Sequence, residues 1–166
     1  VEAWLVDELP DLLATGARVV VSIWGFTVEA YEKAATALAD APPGLVAVEV
    51  NLSCPNVHGV ARSGGSRRSM FAHSPTLTAE TIEATAGCHR PRWAKLSPNV
   101  TDLTEIAGAA LDAGAEALTL VNTVMGMAID IETGRYRLGA GGGERGRRAS
   151  PRGRPPAEED RAMLYG

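Results

Sequence analysis

The chain is poor in cysteine, lysine and aromatic residues, and it has no long apolar run. Two cysteines, Cys54 and Cys88, in 166 residues are too few for a disulfide framework. Free thiols in a reducing cytoplasm are therefore expected. Neither CxxC nor HExxH occurs, and the three His residues are scattered, so no metal site is expected. No apolar stretch reaches the ~18 to 20 residues that cross a bilayer. The opening VEAWLVDELP lacks a basic segment ahead of an apolar one, so no signal peptide is read. A net charge of −4 argues against general attraction to nucleic acid.

What is present suits an ordinary soluble domain. Hydrophobic residues make up 45% and charged residues 22%, which is enough for a real core under a solvated surface. The 18 Gly and 10 Pro suit many short loops between regular elements. The basic residues are nearly all Arg, 14 against 2 Lys. The stretch from Glu144 to Gly166, ERGRRASPRGRPPAEEDRAMLYG, crowds Arg, Pro and Gly without hydrophobic period. It is set apart from residues 1–143 as a tail expected to be disordered.

From Arg18 to Thr123 one unit repeats, an apolar strand followed by an amphipathic helix. The first strand is RVVVSIWG (Arg18–Gly25), apolar enough to predict burial on both faces. A helix follows over Val28–Asp40, with Thr27 placed to cap it. The second strand is LVAVEVNLSC (Leu45–Cys54), succeeded by a long Gly-, Ser- and Arg-rich loop, Pro55–Pro75. A helix is predicted from Thr78, stopping near Gly87 as a C′ glycine. The third strand is PRWAKLSP (Pro91–Pro98); its helix opens at Asp102 and closes at Gly114. The fourth strand is EALTLVNT (Glu116–Thr123). Strands alternating with single helices predict a parallel sheet with right-handed crossovers. Either an open doubly wound sheet or part of a (β/α)₈ barrel would satisfy that pattern.

Parallel α/β folds place their sites at the C-terminal ends of strands. Those ends carry Trp24 and Gly25, then Asn51 and Ser53–Asn56, then Lys95 and Ser97, then Asn122 and Thr123. Asn, Ser and Thr often end strands by bonding local backbone. Four consecutive strands ending this way point instead to a shared pocket. Three Asn at one mouth suit a heterocycle bearing amide and carboxylate groups. Lys95, inside an apolar strand, needs an anionic or polar partner. The N1–C2=O edge of a flavin, anionic when reduced, would serve.

NLSCPN (Asn51–Asn56), MFAHS (Met70–Ser74), WAKLSPNVTD (Trp93–Asp102), LTLVNT (Leu118–Thr123) and GMAIDIETGRYRLGAGGG (Gly126–Gly143) occur in that order. Together they resemble the soluble, class 1 dihydroorotate dehydrogenases, over about Ala17 to Gly143. The resemblance implies a (β/α)₈ TIM barrel, of which about four βα units lie here. It implies FMN bound at the barrel mouth and oxidation of dihydroorotate to orotate in pyrimidine biosynthesis. By the same resemblance Cys54 is the catalytic base that takes the C5 proton, while hydride passes from C6 to flavin N5. A thiol is a better base at neutral pH than an alcohol, its reference pKa being about 8.5. Cys at this place marks the soluble class; the quinone-linked, membrane-associated class has Ser. Asn51 is implied to touch both substrate and flavin, Asn56 the substrate, Lys95 the flavin N1/O2 edge, Val121 the flavin through its backbone, and Asn122 and Thr123 the substrate.

The resemblance also sets expectations about extent and partners. The family has βα units ahead of Val1 and continues beyond Gly143 into strands whose loops hold the FMN phosphate. Residues 144–166 depart from that pattern and read as an out-of-frame tail, so this stretch alone is expected to hold FMN weakly. The Pro55–Pro75 loop corresponds to a lid, here enriched in Arg62, Arg67 and Arg68. A homodimer using fumarate and a form using NAD through a flavin–iron–sulfur partner subunit both fit these motifs. Two other functions remain open at this level: a dihydropyrimidine dehydrogenase-like flavin enzyme, and a non-catalytic barrel fragment.

Overall fold

In a computed structural model of the chain, residues 1–54, 59–60, 66–126 and 128–134 are described. The chain divides into two units, Val1–Asn122 and Thr123–Gly166. The first unit contains a four-stranded parallel sheet in the order β1-β2-β5-β6, formed by β1 (Val19–Ile23), β2 (Leu45–Asn51), β5 (Arg92–Lys95) and β6 (Ala117–Thr119). Each strand lies beside its successor in this sheet, as expected of repeated βα units joined by short crossovers. Helices α3 (Val28–Thr36), α4 (Pro75–Ala84) and α5 (Leu103–Asp112) form those crossovers. Two short helices, α1 (Glu2–Asp7) and α2 (Leu9–Ala14), precede the sheet; no hydrophobic period had announced them. Within the Pro55–Pro75 loop, β3 (Gly59–Val60) and β4 (Ser66–Ser69) pair antiparallel.

The helices cover one face of the sheet. On that face Val48, Val50 and Ala94 are fully buried, and Leu118 packs beside them. Tyr31, Ala35 and Leu38 from the α3 segment and Ile82 from α4 close the core from above. The register determines what shares the other face. Ser22, Glu49, Trp93 and Ala117 are paired across the four strands, and Asn51, Lys95 and Thr119 form the next row toward the C-terminal ends. The described residues of this face are only partly buried toward those ends. Ser22 Oγ donates to Glu49 Oε1 at 2.8 Å across the first of these rows.

Three local expectations are corrected. The first strand is not buried on both faces: Val20 and Ser22 are exposed, because β1 lies at the edge of the sheet and only Ile23 is fully packed. The second helix begins at Pro75 rather than Thr78, since the Ser74 hydroxyl caps it by accepting the Leu77 N–H at 3.3 Å, and Pro fits its first turn. That helix does not end on Gly87. A 3-10 turn over Thr85–Cys88 tightens its end, and His89 takes the left-handed conformation at φ 52°. Gly87 serves another need: a Cβ there would lie 3.1 Å from Thr36 Oγ1 on α3.

Other caps form as read. Thr27 Oγ1 accepts the Ala30 N–H at 3.2 Å, and Asp102 Oδ1 accepts from Thr104 and Glu105 at 2.8 and 3.2 Å. Gly114 follows α5 at φ 95°, a conformation in which a Cβ is strained. In the second unit the described residues include a turn in which Asp130 Oδ1 accepts from Glu132 and Thr133, and Gly134 stands at φ 64°. The expected tail, residues 144–166, lies outside the described residues.

Gly25 joins the end of β1 to the start of α3. A Cβ there would meet Ala30 Cβ at 2.8 Å and the Tyr31 backbone nitrogen at 3.1 Å. Gly25→Ala should therefore push α3 off the sheet and destabilise the fold by about 1 to 3 kcal/mol. A lower urea midpoint at unchanged slope would show this; an unchanged midpoint would refute the close packing.

Candidate active site

The site is assembled at the C-terminal ends of the parallel strands, on the face the helices leave open. Asn51 is the last residue of β2 and is paired with Lys95, the last of β5, which is paired in turn with Thr119 of β6. Backbone register alone thus sets an amide, an ammonium and a hydroxyl side by side. Lys95 is partly buried, with Ala94 beneath it and Leu96 after it both fully buried. Its charge is held at the sheet surface on an apolar base.

After Asn51 the chain turns sharply. Asn51 Oδ1 accepts both the Ser53 backbone N–H at 3.2 Å and the Ser53 Oγ–H at 2.9 Å, an Asx-type turn that ends the strand. Leu52 and Ser53 are buried, which brings Cys54 out at the mouth, partly buried and packed on the edge of the core. The backbone of Asn51 is held from below as well. The Tyr31 phenol on α3 donates to the Asn51 carbonyl at 2.7 Å. Tyr31 is itself fully buried and meets Phe71 edge-on, with centroids 5.0 Å apart at 74°. Burial pushes the phenol's pKa above its ordinary value of 10.0, partly offset by a hydrogen bond from the Gly25 backbone.

Asn122 closes the arrangement from the segment that follows β6. Its backbone N–H donates to Leu96 O at 3.0 Å, just beyond β5. Its side-chain Nδ2 donates to Ser53 O at 2.8 Å and to Ser53 Oγ at 3.0 Å. Two Asn residues 71 positions apart in the chain therefore meet through one serine. Val121, half exposed, is the last residue before Asn122. Trp24 and Phe26, at the end of β1, are exposed and stack edge-on at 5.3 Å.

The structure thus brings Asn51, Cys54, Lys95, Val121 and Asn122 to one end of one sheet. Asn56 lies outside the described residues, and Thr123 begins the second unit. Ser97 is removed from the set. It is buried, and its Oγ accepts from Asn99 N and Nδ2 at 3.2 and 3.3 Å, serving the turn after β5. Cys88 is a buried structural thiol with its Sγ 3.4 Å from Arg90 O. Sequence reasoning placed Ser53 among the strand-end polar residues without a role of its own, and passed over Tyr31 and Thr119. Ser53 stood inside the NLSCPN motif, but nothing in the motif said which atoms its hydroxyl would meet. Thr119 could have been found from Lys95 by strand register, and Tyr31 had no signal beyond its place on the apolar stripe of α3.

A separate cleft of about 460 Å³ opens between the turn after β5 and the 3-10 turn Phe71–His73; Asn99, Asp102 and Glu105 line it with His73. Burial lowers the pKa of His73, whose Nε2 has no hydrogen-bond partner among the described residues.

Comparison with known proteins bears on the whole arrangement. The family model described as dihydroorotate dehydrogenase matches residues 5–152. The chain belongs to the dihydroorotate dehydrogenase family. Relatives include proteins named dihydroorotate dehydrogenase B (NAD(+)), catalytic subunit. That from Desulforudis audaxviator is 46% identical over 140 residues, 84% of this chain and 43% of the relative. That from Geotalea uraniireducens is 39% identical over 136 residues, 81% of this chain and 42% of the relative. That from Caldicellulosiruptor bescii is 42% identical over 139 residues, 80% of this chain and 41% of the relative. The chain thus spans less than half the length of the curated relatives it matches. The dihydroorotate dehydrogenase family is built on a TIM barrel, and the parallel four-stranded α/β sheet is a part of that architecture. No helix among the described residues is long and apolar enough to cross a membrane.

Tyr31→Phe should remove the bond that holds the Asn51 carbonyl and cost about 1 to 2 kcal/mol. The pH dependence separates this from simple repacking. Because the folded phenol has a raised pKa, its stabilisation is complete below pH 10.0 and is lost as pH rises above it, where only the unfolded chain ionises. Denaturation midpoints between pH 9 and 11 should fall more steeply in the parent protein than in Y31F; parallel curves would contradict the assignment.

Proposed function

We propose that this chain supplies the proton-accepting side of a dihydroorotate dehydrogenase site, oxidising dihydroorotate to orotate with FMN as hydride acceptor in pyrimidine biosynthesis. The observation that supports the reading is the Asn51–Ser53–Asn122 network immediately before Cys54, with Asn51 paired to Lys95 across the sheet. The residues present fit a flavin on chemical grounds. Lys95 puts a cation on the open face, Asn51 beside it keeps amide donors, and Val121 and Trp24 add exposed apolar surface at the strand ends. Lys95 would hold the N1/O2 edge, Asn51 would reach both ring and substrate, and Val121 would offer its backbone. Bound FMN would supply the acceptor for the hydride leaving substrate C6.

The chain's own groups do the rest. Cys54 Sγ takes the proton from substrate C5, so that proton and hydride leave adjacent carbons and the double bond of orotate forms between them. Asn51 and Asn122 hold the ring with directional hydrogen bonds, and Asn56 and Thr123 add further substrate contacts. Lys95 would place its positive charge where bound FMN gains negative charge on accepting the hydride. The relatives' names support an NAD(+)-linked form of this reaction in which the chain acts as a catalytic subunit; the partner would be the flavin–iron–sulfur subunit that the family resemblance implies. Two free thiols accord with a cytoplasmic location.

The test uses the full-length gene product loaded with FMN. Mixed anaerobically with dihydroorotate, it should bleach its flavin, and Cys54→Ala should slow bleaching by about 10²- to 10⁴-fold while leaving orotate binding intact. Flavin reduction by dihydrouracil in preference to dihydroorotate would overturn the substrate assignment. Equal rates in C54A and the parent would overturn the base.

A further inference from the structure

The two proposed ligand amides are not independent, and Ser53 is what joins them. An Asn side chain has nearly the same shape in either amide orientation, so only its hydrogen bonds determine which end faces a ligand. Ser53 presents two donors to Asn51, its backbone N–H and its hydroxyl, and both fall on Oδ1. That commits the Asn51 oxygen inward. Its Nδ2 makes no hydrogen bond among the described residues and remains as the group offered outward. The hydroxyl has only one proton. With it given to Asn51, Ser53 Oγ can only accept from Asn122, and it does so from Nδ2 at 3.0 Å, with Ser53 O accepting from the same nitrogen at 2.8 Å. Asn122 is thereby obliged to turn its nitrogen toward Ser53 and its carbonyl oxygen away.

We infer that Ser53 is a positioning residue that sets the amide orientation of Asn51 and Asn122 together, so that Asn51 meets a ligand oxygen with a donor. The inference rests on the function proposed above and adds to it a polarity. The group facing Asn51 is an acceptor, as a carboxylate or ring carbonyl of orotate is. Ser53 itself does not reach the ligand: it is 2% exposed, beneath Asn51 and Asn122. Removing its hydroxyl takes away one of the Ser53 bonds that orient each amide, leaving the Ser53 backbone N–H on Asn51 and the Ser53 carbonyl on Asn122, so both amides are held less firmly.

The experiment is a ligand-binding split in the FMN-loaded, full-length gene product. Orotate affinity is read from the perturbation of the flavin spectrum, with FMN content and thermal midpoint as structural controls. Ser53→Ala should keep its FMN yet bind orotate about 10- to 100-fold more weakly, with KM for dihydroorotate rising and kcat changing far less. Ser53→Thr, which retains the hydroxyl, should return affinity to within about 3-fold of the parent. If S53A loses its fold, Ser53→Cys, of similar volume but a weaker donor, is read for the same split. Parent-like orotate binding in S53A or S53C overturns the inference, as does an S53T protein that holds FMN and binds orotate as poorly as S53A. A parent protein whose flavin spectrum ignores orotate overturns the proposed function itself.

Discussion

The register between parallel strands β2, β5 and β6 is the constraint on which the rest depends. Backbone pairing sets Asn51 against Lys95 and Lys95 against Thr119. Because side chains alternate across a strand, the same pairing sends Val48, Val50 and Ala94 to the opposite face, where α3, α4 and α5 bury them. A slip of one residue would exchange the two sets. It would bury Lys95 under the helices and bring Val50 and Ala94 to the open face. The burial of the apolar row is therefore also what holds the polar row in place, and the site borrows its precision from the core.

Strand ends impose a second demand, since the last backbone groups need partners once the ladder stops. Asn51 meets it with its side-chain oxygen in the turn to Ser53, and its carbonyl takes the Tyr31 phenol. The Leu96 carbonyl takes the Asn122 N–H. The common structural use of Asn at a strand end and its proposed use in binding are thus one arrangement. Ending the strand consumes the oxygen of Asn51 and leaves its nitrogen for a ligand. Ser97 shows the other outcome, a strand-end hydroxyl engaged by its own turn through Asn99.

Much of this was legible along the chain, and the exceptions have physical causes. Four strands and three helices follow from runs such as LVAVEVN and from caps at Thr27 and Asp102, which are local signals. The end of α4 was misread because Gly87 looked like a left-handed cap. The left-handed residue is His89, and Gly87 is needed small for the approach of Thr36. The edge position of β1 was invisible because an apolar strand reads alike at the edge and in the middle of a sheet. Ser53 was noted at its strand end without a role, and Tyr31 was passed over, because their contributions lie in hydrogen bonds to particular atoms, and neither spacing nor composition encodes those.

The sequence by itself determined the alternation of strand and helix, the order of the motifs and the residue types at each strand end. The alternation rests on local propensity and hydrophobic period; it was the resemblance of the motifs that indicated the dihydroorotate dehydrogenase family and implied roles for Asn51, Cys54, Lys95 and Asn122. Only the tertiary structure decided which of these share a face, which strand-end hydroxyl is linked across the sheet to Asn122, and which end of the Asn51 amide is engaged by Ser53. Those are relations between residues such as Ser53 and Asn122, 69 positions apart, and they exist only once the sheet has brought its strand ends together.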